Sequence, residues 1–236
     1  MSEKVLKHIS TQANDYNNDH ENYLVRSFFI WWIFGFIITI YLIIGWISQE
    51  FIYNDSLYYR SYSGTLTNQT IESMLGFQSR FWWTGYAVTP MLLLLKFLFT
   101  SICISVGAML SITDIKFKEI FKTAMLAEGV FILAQIIFMI SLYLNLEELT
   151  LQNISGYYPL SALSFIGIEN VNAKWAIYPL QTINLFEALY IAVISWLLSK
   201  QWKPDFFESL NIVIPSYGLG LLLWMVLVAF LTLQIS

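Results

Sequence analysis

Long apolar runs separated by polar segments dominate the chain. A run must hold about 20 mainly apolar residues to cross a bilayer as a helix. Five runs meet this length, at residues 27–48, 89–110, 121–144, 178–199 and 212–233. Pro90 and Pro179 stand near the start of the second and fourth runs and favour helix beginnings there, because proline is tolerated in a first helical turn. The pattern predicts an all-α polytopic membrane protein with five transmembrane helices.

The polar segments define the predicted organisation around these spans. Residues 1–26 are expected to form a polar tail, and residues 27–236 a single five-helix membrane domain. The first run is too long for a signal-peptide core and lacks a small-residue cleavage site after it, so it is expected to remain as a span. Two longer loops, 49–88 and 145–177, lie on one side of the membrane. The second is expected to contain a β-like stretch and then an interfacial segment at 157–167.

The distribution of lysine and arginine predicts the orientation, because cytoplasmic loops retain these residues. Eight lie on the side of the amino terminus: Lys4, Lys7, Arg26, Lys116, Lys118, Lys122, Lys200 and Lys203. Three lie on the other side: Arg60, Arg80 and Lys174. The amino terminus is therefore predicted to be cytoplasmic and the carboxyl terminus outside. Tryptophans near both predicted boundaries agree with this placement: Trp46, Trp82, Trp83 and Trp175 outside, and Trp196 and Trp202 inside.

The composition supports a membrane environment. Hydrophobic residues make up 57% of the 236 residues and charged residues 12%, whereas soluble domains carry about 25% charged residues. The net charge of −4 is small and dispersed, so nucleic acid is not an expected partner. Membrane lipids, other membrane proteins or further copies of this chain are the expected partners. The abundance of Ile, Leu and Asn favours a bacterium, and thus its inner (cytoplasmic) membrane.

Residue types that support catalysis are sparse. The two histidines, His8 and His20, fall in the tail, and the single cysteine, Cys103, falls in an apolar run, so no zinc constellation is predicted. The chain has no phosphate-binding glycine loop and no nucleophile elbow. Neither an enzyme nor a cofactor is predicted.

Three ionisable residues lie within predicted spans: Lys96, Glu128 and Glu187. Each costs about 2.5–3.5 kcal/mol at a helix centre, so each requires a partner or a function. Counting from Pro90 and Pro179 places Lys96 and Glu187 at depths of ~9 Å and ~12 Å below the outer boundary. These two are therefore expected to pair, while Glu128, counted from the cytoplasmic side, is expected to lie in another layer.

Two interpretations of this intramembrane polar site remain open. The charges could be structural, with the pair fixing helix packing or with Lys96 snorkelling outward and Glu187 protonated, or they could mark a substrate or proton site. Asn184, one turn from Glu187, and Gln135, two turns from Glu128, are candidate partners or further site residues. Small residues are candidates for close helix contact: Ser101, Ser105, Gly107, Gly218 and Gly220.

The carboxy-terminal part resembles a known family in pattern and spacing. The segments concerned are KFKEIFKTAMLAEGVFIL (116–133), YYPLSAL (157–163), YPLQTINLFEALY (178–190) and FFESLNIVIPSYGLGLLLW (206–224). They resemble the bacterial branch of the Yip family, named for proteins that interact with Ypt/Rab GTPases, over residues 90–236. The resemblance implies five spans, a cytosolic amino terminus and roles in trafficking and membrane shaping through binding partners. The short tail lacks the Asp-Leu-Tyr-Gly-Pro signature of eukaryotic members, and the 49–88 loop has no counterpart, so Rab binding does not carry over.

These observations favour a non-catalytic membrane scaffold, or an accessory subunit of a membrane complex, of the Yip-like type. The alternative is a permease or transporter component in which Lys96, Glu187 and Glu128 line a route. The two differ in whether the buried charges move a solute or only hold helices together.

Overall fold

The computed structural model describes residues 30–111, 115–146, 149–202 and 205–235. The predicted tail, residues 1–26, and the first residues of the first predicted span lie outside the described residues. Two compact units divide the chain, Met1–Ile37 and Ile38–Ser236. The described part of the first unit is helical, and the rings of Trp31 and Phe34 meet edge to face within it.

The described ranges contain ten α-helices and no strand. The first five are α1 (Ile30–Phe51), α2 (Asp55–Tyr62), α3 (Asn68–Leu110), α4 (Phe117–Ala127) and α5 (Gly129–Leu144). The others are α6 (Leu151–Gly156), α7 (Ala162–Ile166), α8 (Lys174–Thr182), α9 (Leu185–Trp202) and α10 (Phe206–Ile235). A short 3₁₀ helix, Ile168–Asn170, follows α7.

Four helical segments in the described ranges are long and apolar enough to cross a membrane: α1, α3, the α4–α5 stretch and α10. Each overlaps one predicted span, namely the first, second, third and fifth. The helical membrane character predicted from the sequence is therefore confirmed. The fourth predicted span corresponds to α9, which is 18 residues long and does not belong to this set.

Helix α3 begins much earlier than the sequence predicts. It starts at Asn68, where the Thr67 hydroxyl accepts a hydrogen bond from the Thr70 N–H at 3.4 Å, and it runs through Pro90 for 43 residues. Most of the predicted outer segment 49–88 is therefore helical rather than irregular. Proline removes one backbone donor and disfavours the helix interior, but a long helix can tolerate this loss. Pro215 likewise lies inside α10.

The fourth predicted span is interrupted rather than continuous. Helix α8 ends at Thr182, and α9 begins only at Leu185. The irregular backbone between them is paired, since the Ala162 N–H donates to the Ile183 carbonyl at 2.8 Å and the Leu185 N–H donates to the Leu160 carbonyl at 3.1 Å. Irregular backbone is tolerated at membrane depth only when its polar groups are satisfied in this way.

The predicted 145–177 loop also differs from expectation. Its described residues contain α6, α7, the 3₁₀ helix and the start of α8, so the expected β-like stretch is wrong. The Thr150 hydroxyl caps α6, and the Ser161 and Ser164 side chains form a capping box at the start of α7. Such caps satisfy the free N–H groups of a first turn and stabilise short helices.

Helix α10 packs against α3, α8 and α9, and α9 also contacts α4 and α5. A Cβ atom at Gly107 on α3 would collide with Ser216 on α10, and one at Gly220 on α10 would collide with Cys103 on α3. Small residues thus allow α3 and α10 to approach closely, as the sequence predicts. Nothing lies within 4 Å of a Cβ atom placed at Gly218, so this glycine is not part of the close contact between α3 and α10.

The two predicted outer segments contact each other. The Leu151 N–H donates to the Ser61 hydroxyl at 2.9 Å, and the Arg60 guanidinium donates to the Leu146 carbonyl. A small apolar cluster joins the same segments to α5: Ile52, Leu57, Leu142, Leu149 and Ile154. These segments therefore share one end of the second unit. Near the end of α9, the Gln201 amide donates to the Thr123 hydroxyl on α4 at 3.0 Å.

Candidate functional site

Lys96 and Glu128 form an ion pair in which the carboxylate is buried. The Lys96 Nζ lies 2.8 Å from Glu128 Oε1, and the Tyr41 hydroxyl donates to the same oxygen at 2.6 Å. The Glu128 side chain is 0% exposed. The sequence-based expectation that Lys96 pairs with Glu187 is therefore wrong, and so is the expectation that Glu128 lies in a different layer.

The depth count from Pro90 and Pro179 brought Lys96 and Glu187 to one layer, but it did not bring in Glu128, which was counted from the cytoplasmic side. It took Pro90 and Pro179 as helix starts, but α3 begins at Asn68 and the helix that carries Glu187 begins at Leu185. Depth in a helix bundle also depends on tilt and on breaks, which a residue count along one helix does not include.

Glu128 occupies a break between two helices. Helix α4 ends at Ala127, α5 begins at Gly129, and the Glu128 N–H bonds to the Met125 carbonyl at 3.2 Å in a 3₁₀ pattern. A short 3₁₀ segment within a longer helix frequently marks a functional or strained position. Glu128 stands at the carboxyl end of α4 as well as the amino end of α5, so the dipoles of the two helices oppose each other at this residue.

Aromatic rings surround the Lys96 ammonium. Its Nζ lies 3.5 Å from the centroid of the Phe131 ring and 5.6 Å from that of Tyr190. Ring faces attract a cation, by about 0.5–2 kcal/mol depending on desolvation. The Lys96 side chain remains 33% exposed, so the ammonium stands at the edge of the buried region while its partner carboxylate lies inside.

Glu187 lies in the first turn of α9 and has a tyrosine partner. The Tyr217 hydroxyl donates to Glu187 Oε1 at 2.5 Å. Asn184 caps the same helix, because its Oδ1 accepts a hydrogen bond from the Glu187 N–H at 2.8 Å. Asn184 therefore contacts the Glu187 backbone, while its Nδ2 donates to the Gln181 and Thr182 carbonyls. Gln135 has an exposed side chain further along α5 and is not brought to this group.

The two carboxylates and the lysine act on one another electrostatically. Lys96 attracts Glu187 at longer range, and Glu128 repels it. The rings of Tyr190 and Tyr217 meet with centroids 5.7 Å apart. The name polar cluster is used below for these six residues: Tyr41, Lys96, Glu128, Glu187, Tyr190 and Tyr217. The cluster draws on α1, α3, α9, α10 and the α4–α5 break.

Sequence reasoning identified the three charges of the polar cluster but missed its tyrosines. Tyr190 and Tyr217 are buried, at 0% and 4% exposure, and both belong to the main apolar core. Tyrosines in membrane proteins concentrate at the interfaces. Tyr41 lies well inside an apolar run, away from the interfaces. That position was the sequence signal that its hydroxyl has a buried hydrogen-bond acceptor nearby.

One oxygen of the cluster is left unsatisfied by the surrounding protein. Glu128 Oε2 is buried and makes no hydrogen bond within the described part of the chain. A buried polar atom without a partner costs about 1–3 kcal/mol, and more when it is charged. This oxygen is thus the least satisfied part of the site.

A second feature lies at the end formed by the predicted outer segments. An open groove of about 680 Å³ separates α3 from the end of α1 and from α2. It is lined by aromatic, apolar and amide side chains, including Tyr58, Met74, Phe77, Gln78, Phe81 and Trp82. It is called the α3 groove below. Gln78 Oε1 is buried there and has no hydrogen-bond partner among the described residues.

Comparisons with known proteins found no match to a family model, to a curated protein or to a solved structure. The polar cluster, the α3 groove and the arrangement of the helices are therefore the features that bear on function.

Proposed function

We propose that α9 is a fifth span, which makes this a five-span integral membrane protein. Its 18 residues extend about 27 Å, close to the thickness of the hydrocarbon core. The end that carries Lys116, Lys118, Lys122 and Lys200 is the cytoplasmic one, because such loops retain basic residues. The α3 groove then faces the outside, and the carboxyl terminus lies on the same outer side.

Within that membrane the protein acts as a non-catalytic scaffold or accessory subunit. The length of α3 carries this proposal. Its 43 residues extend about 65 Å, roughly twice the hydrocarbon core, so its amino-terminal half projects beyond the bilayer. This half exposes Phe77 at 67% and Trp82 at 58%. Large exposed apolar patches outside a bilayer are typical of protein interaction surfaces.

The partner that fits the α3 groove is an apolar segment of another membrane protein, which can pack against the aromatic side chains of the groove. Aromatic side chains are enriched at protein interfaces, and the Gln78 amide can bond a polar backbone group of the partner. The bacterial inner membrane and a Yip-like architecture are part of the same proposal, supported by the composition and by the resemblance over residues 90–236.

Replacing Phe77 and Phe81 together with alanine is expected to abolish binding of the partner. Both rings line the groove, and truncation of clustered aromatic residues at an interface commonly costs about 2 kcal/mol or more per residue. The measurement is co-purification in a mild detergent with an amino-terminal tag, and mass spectrometry of the companions with their stoichiometry.

Trp83→Ala is the matched control. Trp83 is 55% exposed on the same helix but does not line the groove, so this variant is expected to retain the partner. Equal retention by both variants would argue against the groove as the interface. A wild-type protein that purifies without any stoichiometric companion would argue against the scaffold function itself.

A second candidate function is a permease or transporter component. It is favoured by the helix breaks at Glu128 and at Ile183–Asn184, since transporters commonly place discontinuous helices around their binding sites. Under this function, Glu187→Gln keeps the fold but abolishes flux. Purified protein in liposomes that moves no solute above the rate of empty liposomes would speak against it, and solute movement by the protein alone would speak against the scaffold.

A further inference from the structure

The polar cluster holds two carboxylates and one ammonium. With Lys96, Glu128 and Glu187 all ionised, the cluster would carry one uncompensated negative charge. The other groups that face it are phenols, which are neutral near pH 7. They are Tyr41 on α1, Tyr190 on α9, Tyr217 on α10 and Tyr158, which precedes α7. No further cation is among the groups described around the two carboxylates.

Helix dipoles are too weak to balance the excess charge. Glu187 lies in the first turn of α9, where the dipole is equivalent to only about half an elementary charge, and at Glu128 the dipoles of α4 and α5 oppose each other. Removing an ionised carboxylate from water without a partner costs more free energy than such a dipole returns. The free-energy cost of desolvation therefore exceeds the stabilisation by the dipole, and the cluster is more stable when one carboxylate is neutral.

The contacts show how the excess charge can be removed. Glu128 Oε1 accepts from both Lys96 and Tyr41, so the ammonium of the cluster lies against this carboxylate. Glu187 accepts from the Tyr217 hydroxyl on Oε1, and none of the lysines in the described ranges lies within ion-pair distance of it. We propose that the polar cluster is a binding site for one exchangeable proton, held by Glu187.

A proton fits the site better than a metal cation. The Lys96 ammonium already lies 2.8 Å from the Glu128 carboxylate and would repel a second cation at that position. The hydroxyls of Tyr41 and Tyr217 point their hydrogens at the carboxylates, so they are used as donors. This inference holds whether the protein is a scaffold or a transporter, because it concerns only the charge of the folded cluster.

Infrared spectroscopy of the purified protein in lipid nanodiscs tests the inference. Protonated carboxylic acids absorb in a carbonyl region apart from the amide bands. The wild type is expected to show one buried protonated carboxyl at neutral pH, which is lost on alkaline titration. Glu187→Gln is expected to show none, because Lys96 and Glu128 then balance each other. Lys96→Met is expected to show two, a doubling of the band.

Glu208→Gln is the control, since Glu208 is exposed and its loss should leave the band unchanged. Tyr217→Phe keeps the ring and removes only its hydrogen bond to Glu187, so the band should move to higher frequency at constant area. This conservative variant decides the question even if the charge variants fail to fold. A wild type without the band, a band unmoved in Tyr217→Phe, or a band that responds to sodium rather than to pH would overturn the proposal.

Discussion

Lys96→Met is expected to lower the free energy of unfolding by about 3–5 kcal/mol, because it leaves the buried Glu128 carboxylate without its compensating ammonium. Glu128 would keep only the Tyr41 hydroxyl as a donor, since its second oxygen already has no partner in the described part of the chain. Methionine preserves the length and apolar character of the lysine stem, so the loss reports the charge. Unfolding by steric trapping in bicelles measures it.

The double variant Lys96→Met with Glu128→Gln separates a lost charge from a lost contact. Replacing both partners of a buried pair is commonly far less destabilising than removing one. The double variant is therefore expected to recover most of the stability lost by Lys96→Met. The contrary result is that the losses of stability in the single variants Lys96→Met and Glu128→Gln add together in the double variant. That result would show that the two residues contribute separately and that their contact of 2.8 Å has no coupling energy.

Apolar runs were sufficient to predict the helical membrane class, because a spanning helix must be long and apolar whatever it packs against. Helix starts were harder to predict. The segment before Pro90 contains Gly76, Gly85 and several polar residues, which are typical of loops, yet it continues α3 without interruption. Its exposed position and its contacts with α2 come from tertiary packing, which local composition does not encode.

The charged members of the candidate site were predictable, but their pairing was not. Any ionisable residue in an apolar run is a candidate, so Lys96, Glu128 and Glu187 could be found by position alone. Which carboxylate meets the lysine depends on the helix break at Glu128 and on the packing of α3 against α4. Neither leaves a local sequence signal, because Glu128 and Gly129 are not distinctive breakers of an apolar helix.

Gly107→Ala is expected to destabilise the protein by about 1–3 kcal/mol, the range typical of overpacking. The new methyl group would collide with the Ser216 side chain and lie 3.3 Å from the Ile212 carbonyl oxygen, so α3 and α10 would have to separate. The Ile212 carbonyl belongs to the backbone of α10 and cannot move aside as a flexible side chain can. The free energy of unfolding, measured in the same bicelles, provides the test.

Gly218→Ala supplies the matched control on the same helix pair. Nothing lies within 4 Å of a Cβ built at Gly218, so the methyl group meets no neighbour in the described part of the chain. Alanine is also the better helix former by up to about 1 kcal/mol, which makes a neutral or slightly stabilising result the expected one. Opposite effects of the same chemical change would establish that close approach at Gly107, rather than a general role of glycine in these helices, holds α3 against α10. Equal losses at both positions would instead indicate that helix flexibility is what the glycines provide.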